Sequence, residues 1–333
     1  MSDIEYKIAL LGPTRVGKTS LVSSILHDAQ RALSGTPASM KAQGSTFARV
    51  ADNVNELEGA LAHGTFEPEA VRNSTSDMSV YELAFEVAKT KLPIGFLDYP
   101  GGWLTTHGKA WETCTEWIKE SSVLIIPVDA VVAMQCITRD EQQACYRRLK
   151  IAELVDPVRD WAKARRQSGQ PGVVIFVPVK CETYLVGPHA TRESAEQLFR
   201  RVVDQLYASL IDMLAAELNG VEHVSAYYAP VSTMGCVDLV DTEWRMAEDE
   251  ILECHSTFRV VPPGRRKVEG AIDVLILIAK MIANAENSKE RGFFTNLWRY
   301  LNGEGKALRT ELLNLNAHAL SQRARKIPLS RHA

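Results

Sequence analysis

The chain has 333 residues, of which 46% are hydrophobic and 24% charged. This is the composition of a globular protein with enough sequence for about two domains, and it excludes both a disordered chain and a small disulfide scaffold. The formal net charge of −3 excludes a general nucleic-acid-binding chain, although residues 286–333 alone carry +5 and the preceding residues −8.

The cysteines and the N-terminus point to a cytoplasmic protein. The six cysteines include no Cys-x-x-Cys pair, which argues against a zinc ribbon or a thioredoxin-like site and favours reduced thiols. No secretory signal is expected, because the first residues enter a strand pattern at once. The longest apolar run, Ala271–Ala283, contains Asp273 and Lys280 and is too short for a membrane span.

Short apolar runs alternate with helical patterns along residues 1–285. The runs that predict strands are Lys7–Leu11, Val80–Val87, Ile94–Leu97, Val123–Val128, Val173–Val179 and Val224–Pro230. The segments with helical periodicity are Lys18–Leu33, Phe47–Leu61, Lys109–Lys119, Asp140–Gln167, Glu193–Leu218 and Val268–Asn284. Strands joined through helices predict an α/β domain with a mostly parallel sheet covered on both faces.

Three regions depart from this alternation. Only six residues join Val80–Val87 to Ile94–Leu97, which predicts a hairpin and so one antiparallel edge strand. Residues 34–79 are irregular around the single helix Phe47–Leu61. Residues 233–267 are also irregular, and there we expect a short acidic helix followed by a Pro-Pro-Gly turn.

A complete phosphate-loop motif lies between the first predicted strand and the first helix. The sequence GPTRVGKT, from Gly12 to Thr19, fits G-x-x-x-x-G-K-[ST] in the strand–loop–helix setting that the motif requires. Its backbone N–H groups and the helix N-terminus favour a phosphate. Lys18 would reach the β- and γ-phosphates, and the Thr19 hydroxyl would bind Mg²⁺. The residues predicted to contact the nucleotide here are Gly12, Pro13, Thr14, Arg15, Val16, Gly17, Lys18, Thr19 and Ser20.

The next motif resembles that of the Ras-like and translation-factor class of P-loop GTPases. Asp98-Tyr99-Pro100-Gly101 follows a predicted strand and is similar to the D-x-x-G element of that class. The resemblance implies that Asp98 holds Mg²⁺ through water and that the Gly101 N–H contacts the γ-phosphate. The run DYPGGW also resembles the same element in YcjX-like bacterial stress-associated P-loop proteins.

The resemblance places a base-reading element after the strand Val173–Val179. The family uses N/T-K-x-D there, whereas this chain has Val179-Lys180-Cys181-Glu182, so only the lysine and a carboxylate correspond. Glu182 can accept hydrogen bonds from guanine N1–H and its 2-amino group, and the stem of Lys180 can lie over the base. Ser232 and Thr233 are similar to a further loop that contacts the base. Val179 cannot supply the usual amide, which leaves adenine open as an alternative.

The first switch region is expected to be enlarged. Seventy-nine residues separate Lys18 from Asp98, more than a minimal small GTPase uses, and the excess lies in 34–79. In the family a threonine here closes over Mg²⁺. Thr75 is the first candidate and Thr65 the second.

A few residues near the two motifs bear on hydrolysis. Ras-like enzymes place a glutamine after D-x-x-G to orient water, but this chain has Gly102 and Trp103, so intrinsic turnover should be slow. Arg15 occupies the position of the arginine that acts as an internal finger in guanylate-binding proteins and atlastins, which implies a finger organised by dimerisation. A solvent-facing Arg15 is the alternative. His107 could position water, and the alternative there is a structural or surface histidine.

The region 286–333 is predicted to be a basic helical tail. Two amphipathic helices would either pack on the α/β domain or contact a partner protein, with at most weak peripheral membrane binding. We therefore expect a GTP-binding and GTP-hydrolysing switch acting on a partner protein. Its motif layout is similar to that of GTPases in bacterial conflict and stress systems. An ATP-hydrolysing P-loop protein and a nucleotide-locked binding module are the alternatives.

Overall fold

The computed structural model describes residues 4, 6–34, 38–68, 78–87, 90–104, 108–247, 251–287 and 320–329. The strands are β1 Tyr6–Leu10, β2 Ala38–Ala42, β3 Thr65–Phe66, β4 Ser79–Val87, β5 Thr90–Asp98, β6 Val123–Asp129, β7 Gly172–Val179, β8 Val224–Tyr228, β9 Val237–Met246, β10 Leu252–Val260 and β11 Arg325–Ile327. The helices are α1 Lys18–Ala32, α2 Thr46–Ala62, α3 Lys109–Glu120, α4 Ala130–Met134, α5 Arg139–Arg148, α6 Ile151–Ser168, α7 Glu182–Leu185, α8 Arg192–Arg200, α9 Ala208–Glu217 and α10 Ala271–Asn287.

Eight strands form one sheet in the order β11-β8-β7-β6-β1-β5-β4-β2. β5, β1, β6, β7 and β8 are parallel, which confirms the predicted fold class. The predicted hairpin is also confirmed, since β4 pairs antiparallel with β5 from Ser79 opposite Asp98 to Val87 opposite Thr90. The hairpin does not form the edge that was predicted, because β4 lies between β5 and β2. Both edges are instead formed by further antiparallel strands, β2 beside β4 and β11 beside β8.

Helices cover both faces of the sheet, since the central strands carry apolar side chains on both faces. Every residue of β6 and of β7 is buried. Along β6, Leu124 and Ile126 belong to one apolar cluster, and Val123 and Ile125 to the other, as the alternation of side chains in a strand requires. α1 and α10 pack on the Val123 face, and α3, α6 and α9 on the other.

Two long predicted helices are interrupted. The segment Asp140–Gln167 is two helices, α5 and α6, and Lys150 between them has the left-handed φ of 53°. The segment Glu193–Leu218 is α8, a π-helical stretch at Arg201–Leu206, and α9. In both cases apolar periodicity continues across the break, so the hydrophobic pattern alone does not reveal it.

The prediction of an acidic helix within residues 233–267 is wrong. β9 and β10 form an antiparallel hairpin there, and β10 also pairs with β3 in a separate three-stranded sheet. The buried residues of β10 are Cys254, Ser256 and Phe258, which alternate with more exposed neighbours. This period of two is that of a half-buried strand. Asp241, Glu243 and Glu253 lie at its more exposed positions, whereas Asp238 of β9 is buried.

Part of the predicted tail can be compared with the structure. Residues 288–319, which include most of the two expected helices, lie outside the described residues. Arg325–Ile327 form β11 against β8, and Asp273 accepts hydrogen bonds from the Ser321 N–H and hydroxyl at 2.8 and 2.6 Å. No helix in the described ranges is long and apolar enough to cross a membrane.

Candidate functional site

The site lies at the carboxyl edge of the parallel strands, where α/β sheets bind ligands. The phosphate loop follows β1, Asp98 ends β5, Asp129 ends β6, Lys180 and Glu182 follow β7, and Ser232 and Thr233 follow β8. An open cleft runs along this edge. Its lining residues are Thr14 to Ser20, Asn53, Glu56, Leu57, Phe66, Pro68, Gly101, Val179, Lys180, Glu182, Thr233, Met234, Val237 and Phe258.

The phosphate loop has the backbone that an anion-binding loop needs. Arg15 and Gly17 adopt left-handed φ values of 63° and 103°, and Gly17 caps the N-terminus of α1 without a side-chain hydrogen bond. The first N–H groups of α1 therefore remain available to an anion. Gly12 packs on the next strand, since a Cβ there would come within 3.2 Å of Pro127 Cγ, while Val16 is buried in the core.

Lys18 folds back across the loop. Its Nζ donates to the carbonyls of Gly12 and Pro13, each at 3.0 Å, and lies 5.4 Å from the ring centre of Tyr99. Burial lowers the pKa of the Lys18 ammonium, and the nearby Asp98 opposes that shift. A buried cation in this setting favours an anionic ligand.

Thr19 and Asp98 are adjacent, as a shared metal ion would require. Thr19 Oγ1 donates to Asp98 Oδ2 at 3.2 Å, and both side chains are buried. A hydroxyl and a carboxylate are hard oxygen donors, and Mg²⁺ is usually held by one or two such protein ligands together with phosphates and water. The donor set therefore fits Mg²⁺. Thr75 lies outside the described residues, and Thr65 lies in β3 opposite Arg259.

Gly101 contacts the phosphate loop directly. It begins a 3₁₀ turn, Gly101–Leu104, and a Cβ at this position would lie 2.0 Å from Thr14 N and 2.3 Å from Pro13 C. Only glycine allows the two backbones to approach this closely. Trp103, two residues later, packs against the core, and His107 lies outside the described residues.

Glu182 links two loops at the other end of the cleft. The residue is 1% exposed, and its Oε1 accepts hydrogen bonds from Ser232 Oγ at 3.3 Å and from Met234 N at 3.0 Å. Within the described part of the chain, Oε2 accepts no hydrogen bond. Thr233 beside them is fixed by Arg266, whose Nε donates to the Thr233 carbonyl at 2.9 Å and whose Nη2 donates to Ser24 Oγ at 3.0 Å.

The ammonium group of Lys180 is held by the carboxylate of Asp129, a residue that was not predicted to belong to the site. Lys180 has a left-handed φ of 53°, and its Nζ donates to Asp129 Oδ2 at 2.6 Å. Asp129 also caps α4 by accepting from the N–H groups of Val131 and Val132. The charged end of Lys180 is thus held on Asp129 while the residue lines the cleft.

One wall of the cleft was not predicted from the sequence. It is formed by α2, β3 and the β9–β10 hairpin. Asn53, Glu56 and Leu57 of α2 line the cleft, and Phe66 of β3 stacks on Phe258 of β10 with ring centres 6.0 Å apart. The alternation in β10 was the available signal for Phe258. Nothing in the local sequence of α2 distinguishes its cleft-facing side from an ordinary polar face.

The fold and this site define an α/β domain with a phosphate loop at the carboxyl edge of its sheet. No protein-family model matches the chain, and no curated protein matches it. A solved structure of Methanosarcina barkeri Roco2 RocCORdC bound to GDP is 15% identical in sequence, with a TM-score of 0.29. The match covers 69% of this chain and 44% of that one, so the chain spans less than half the length of the matched protein.

Proposed function

We propose that this chain binds guanine nucleotides with Mg²⁺ and hydrolyses GTP slowly. One observation carries the proposal: a single cleft is lined by the phosphate loop at one end and by the carboxylate of Glu182 at the other. If a nucleoside triphosphate binds with its phosphates on the loop, its base would lie further along the same cleft. The two ends therefore have the chemistry of the two ends of one nucleotide.

The residues at the phosphate end bind and orient the triphosphate. Lys18 would exchange its bonds to the Gly12 and Pro13 carbonyls for phosphate oxygens, while the loop N–H groups and the α1 N-terminus hold the remaining oxygens. Thr19 and Asp98 would hold Mg²⁺, which would neutralise part of the negative charge of the phosphates. The close approach of Gly101 to Thr14 would carry the Gly101 N–H to the phosphate side of the loop.

The residues at the base end favour guanine. The N1–H and 2-amino groups of guanine are donors, and a carboxylate with one oxygen bonded to Ser232 and Met234 retains its second oxygen as an acceptor. Adenine presents an unprotonated N1 on the same edge, which a carboxylate repels. The stem of Lys180, with its charge held by Asp129, would cover one face of the base.

Hydrolysis would be slow because the usual water-orienting residue has no counterpart at its usual position. Gly102 has no side chain, and Trp103 packs against the core. Arg15 is exposed at the cleft and, in the described part of the chain, makes no ion pair, so it can approach charge on the β–γ bridging oxygen. A switch of this kind would act through a partner protein or a second copy of the chain at this face.

Base selectivity tests the proposal. We expect Glu182→Gln to weaken GTP binding about tenfold, the loss of one charge-assisted hydrogen bond, and to leave ATP binding unchanged. Glu193→Gln is the matched control, because it makes the same change at an exposed position of α8 that does not line the cleft. Equal loss of GTP and ATP in Glu182→Gln would show that Glu182 only ties the two loops together, and would favour the ATP-binding alternative.

A further inference from the structure

Asn53 is a buried polar residue of α2 with an unmet hydrogen-bonding group. The residue is 1% exposed and lines the cleft beside the phosphate loop. Its Nδ2 lies 3.5 Å from Ser20 Oγ, at the limit of a hydrogen bond, whereas its Oδ1 is buried and has no partner among the described residues. A buried carbonyl oxygen without a donor destabilises the fold, so its retention in a cleft indicates a ligand that donates to it.

The chemistry of the unmet group identifies the part of the ligand that reaches it. An amide oxygen only accepts hydrogen bonds, and a triphosphate offers no donor. In a nucleotide the donors are the base N–H groups and the ribose hydroxyls. Ser20 directly follows the metal-binding candidate Thr19, so Asn53 lies at the phosphate side of the cleft, whereas the base-reading candidate Glu182 lies after β7. The ribose joins the triphosphate to the base, so its hydroxyls are the donors closest to Asn53.

We propose that α2 carries a ribose-binding subsite in which Asn53 Oδ1 and the Glu56 carboxylate accept hydrogen bonds from the 2′- and 3′-hydroxyls. This inference rests on the proposed nucleotide binding and names further residues of the same cleft. Glu56 follows Asn53 by three residues, so the two share one face of the helix. Two acceptors match the two donors of a cis-diol. Leu57 on the same face and Phe66 after the helix supply apolar surface beside them.

The N-terminal half of α2 is fixed before any ligand binds. Thr46 Oγ1 accepts from Glu82 N at 2.8 Å, and Arg49 Nη2 donates to the Val80 carbonyl at 2.5 Å. The Arg49 guanidinium also lies 4.0 Å from the ring centre of Tyr81. These contacts to β4 hold the helix against the sheet one to two turns before Asn53. The acceptor is therefore preorganised, which reduces the entropy lost on binding.

The test compares nucleotides with and without ribose hydroxyls. Calorimetry with unlabelled GTP and 2′,3′-dideoxy-GTP avoids fluorescent groups attached to the ribose. We expect the wild-type protein to bind the dideoxy nucleotide at least about fivefold more weakly. Asn53→Ala should weaken GTP binding about fivefold and leave dideoxy-GTP binding unchanged. Asn55→Ala is the matched control, because Asn55 is exposed on the same helix.

The ratio of the two affinities is the deciding quantity, since a partly unfolded variant lowers both affinities together. A ratio near one in the wild-type protein would overturn the subsite, and so would equal losses of both nucleotides in Asn53→Ala. If the wild-type protein binds ATP instead, the same comparison is made with ATP and dideoxy-ATP. Failure to bind any of these ribonucleotides would refute nucleotide binding itself, a result distinct from equal binding of both forms.

Discussion

The backbone of Gly101 lies against the phosphate loop so closely that a Cβ on it would come within 2.0 Å of Thr14 N. This contact joins the end of β5, which carries Asp98, to the loop that carries Lys18. It places the candidate metal-binding side chain and the candidate phosphate-binding backbone on two segments that are in direct backbone contact.

Gly101→Ala tests this contact. Because the new methyl group meets backbone rather than a movable side chain, the loop must shift. We expect the free energy of unfolding to fall by about 1–3 kcal/mol and GTP binding to weaken by at least about tenfold. Chemical denaturation and calorimetry measure the two effects. Gly102→Ala is the control, since a Cβ at Gly102 meets nothing within 4 Å. Equal behaviour of the two variants would show that the contact does not hold the loop in place.

Lys18 predicts a pH dependence of nucleotide binding. Burial lowers the pKa of its ammonium in the nucleotide-free protein, so the charge is lost at a lower pH than for an exposed lysine. Phosphate charge nearby raises that pKa, so binding takes up protons as the pH approaches the lowered value, and affinity falls as the pH rises further. Calorimetry in buffers of different ionisation enthalpy measures the uptake. Lys18→Met should abolish the uptake, and undiminished uptake in that variant would exclude Lys18 as its source.

Cys136 predicts a pH dependence of stability. A hydrogen bond from Cys145 and the Arg201 guanidinium, whose Nη2 is 2.9 Å from Cys136 Sγ, lower the pKa of the Cys136 thiol to about 6. The folded state then holds fewer protons than the unfolded state between about pH 6 and 9. The resulting stabilisation is complete above the ordinary thiol pKa and is lost as the pH falls through about 6.

Denaturation of the wild type and of Cys136→Ser across this pH range checks the sign. We expect the wild type to gain stability over the variant as the pH rises from about 6 to 9. Arg201→Gln should reduce the gain, since it removes the cation. A difference that stays constant with pH would show that Cys136 remains a neutral thiol.

The positions of most predicted elements could be read from their own residues. The side-chain contacts that build the site could not, because they join elements that are distant in sequence. The runs that became β1, β5, β6 and β7 are short, apolar and bounded by turns, so their pattern alone indicates strands and locates the loops after them. Asp129 and Asn53 belong to elements far apart in sequence from their partners, and only the folded chain brings them to Lys180 and Ser20. The β9–β10 hairpin was missed because its acidic residues, read without the period of two, resemble a solvent-facing helix.

Arg15 predicts that turnover depends on protein concentration. If a second copy of the chain positions this exposed arginine, phosphate release per molecule should rise with concentration. A well-placed arginine finger accelerates phosphoryl transfer about 10³–10⁵-fold, so Arg15→Ala should remove the rise. Arg139→Ala, at an exposed arginine at the start of α5, should leave it unchanged. Turnover that is independent of concentration and of Arg15 would contradict this role.

Calorimetric binding of GTP, GDP and ATP to the wild-type protein with Mg²⁺ decides whether Glu182 reads the base. We predict binding of GTP and GDP, and at least about tenfold weaker binding of ATP, because the Glu182 carboxylate accepts from guanine and repels adenine N1. Equal affinities for GTP and ATP, or a preference for ATP, would contradict the assignment of Glu182 as the base-reading residue.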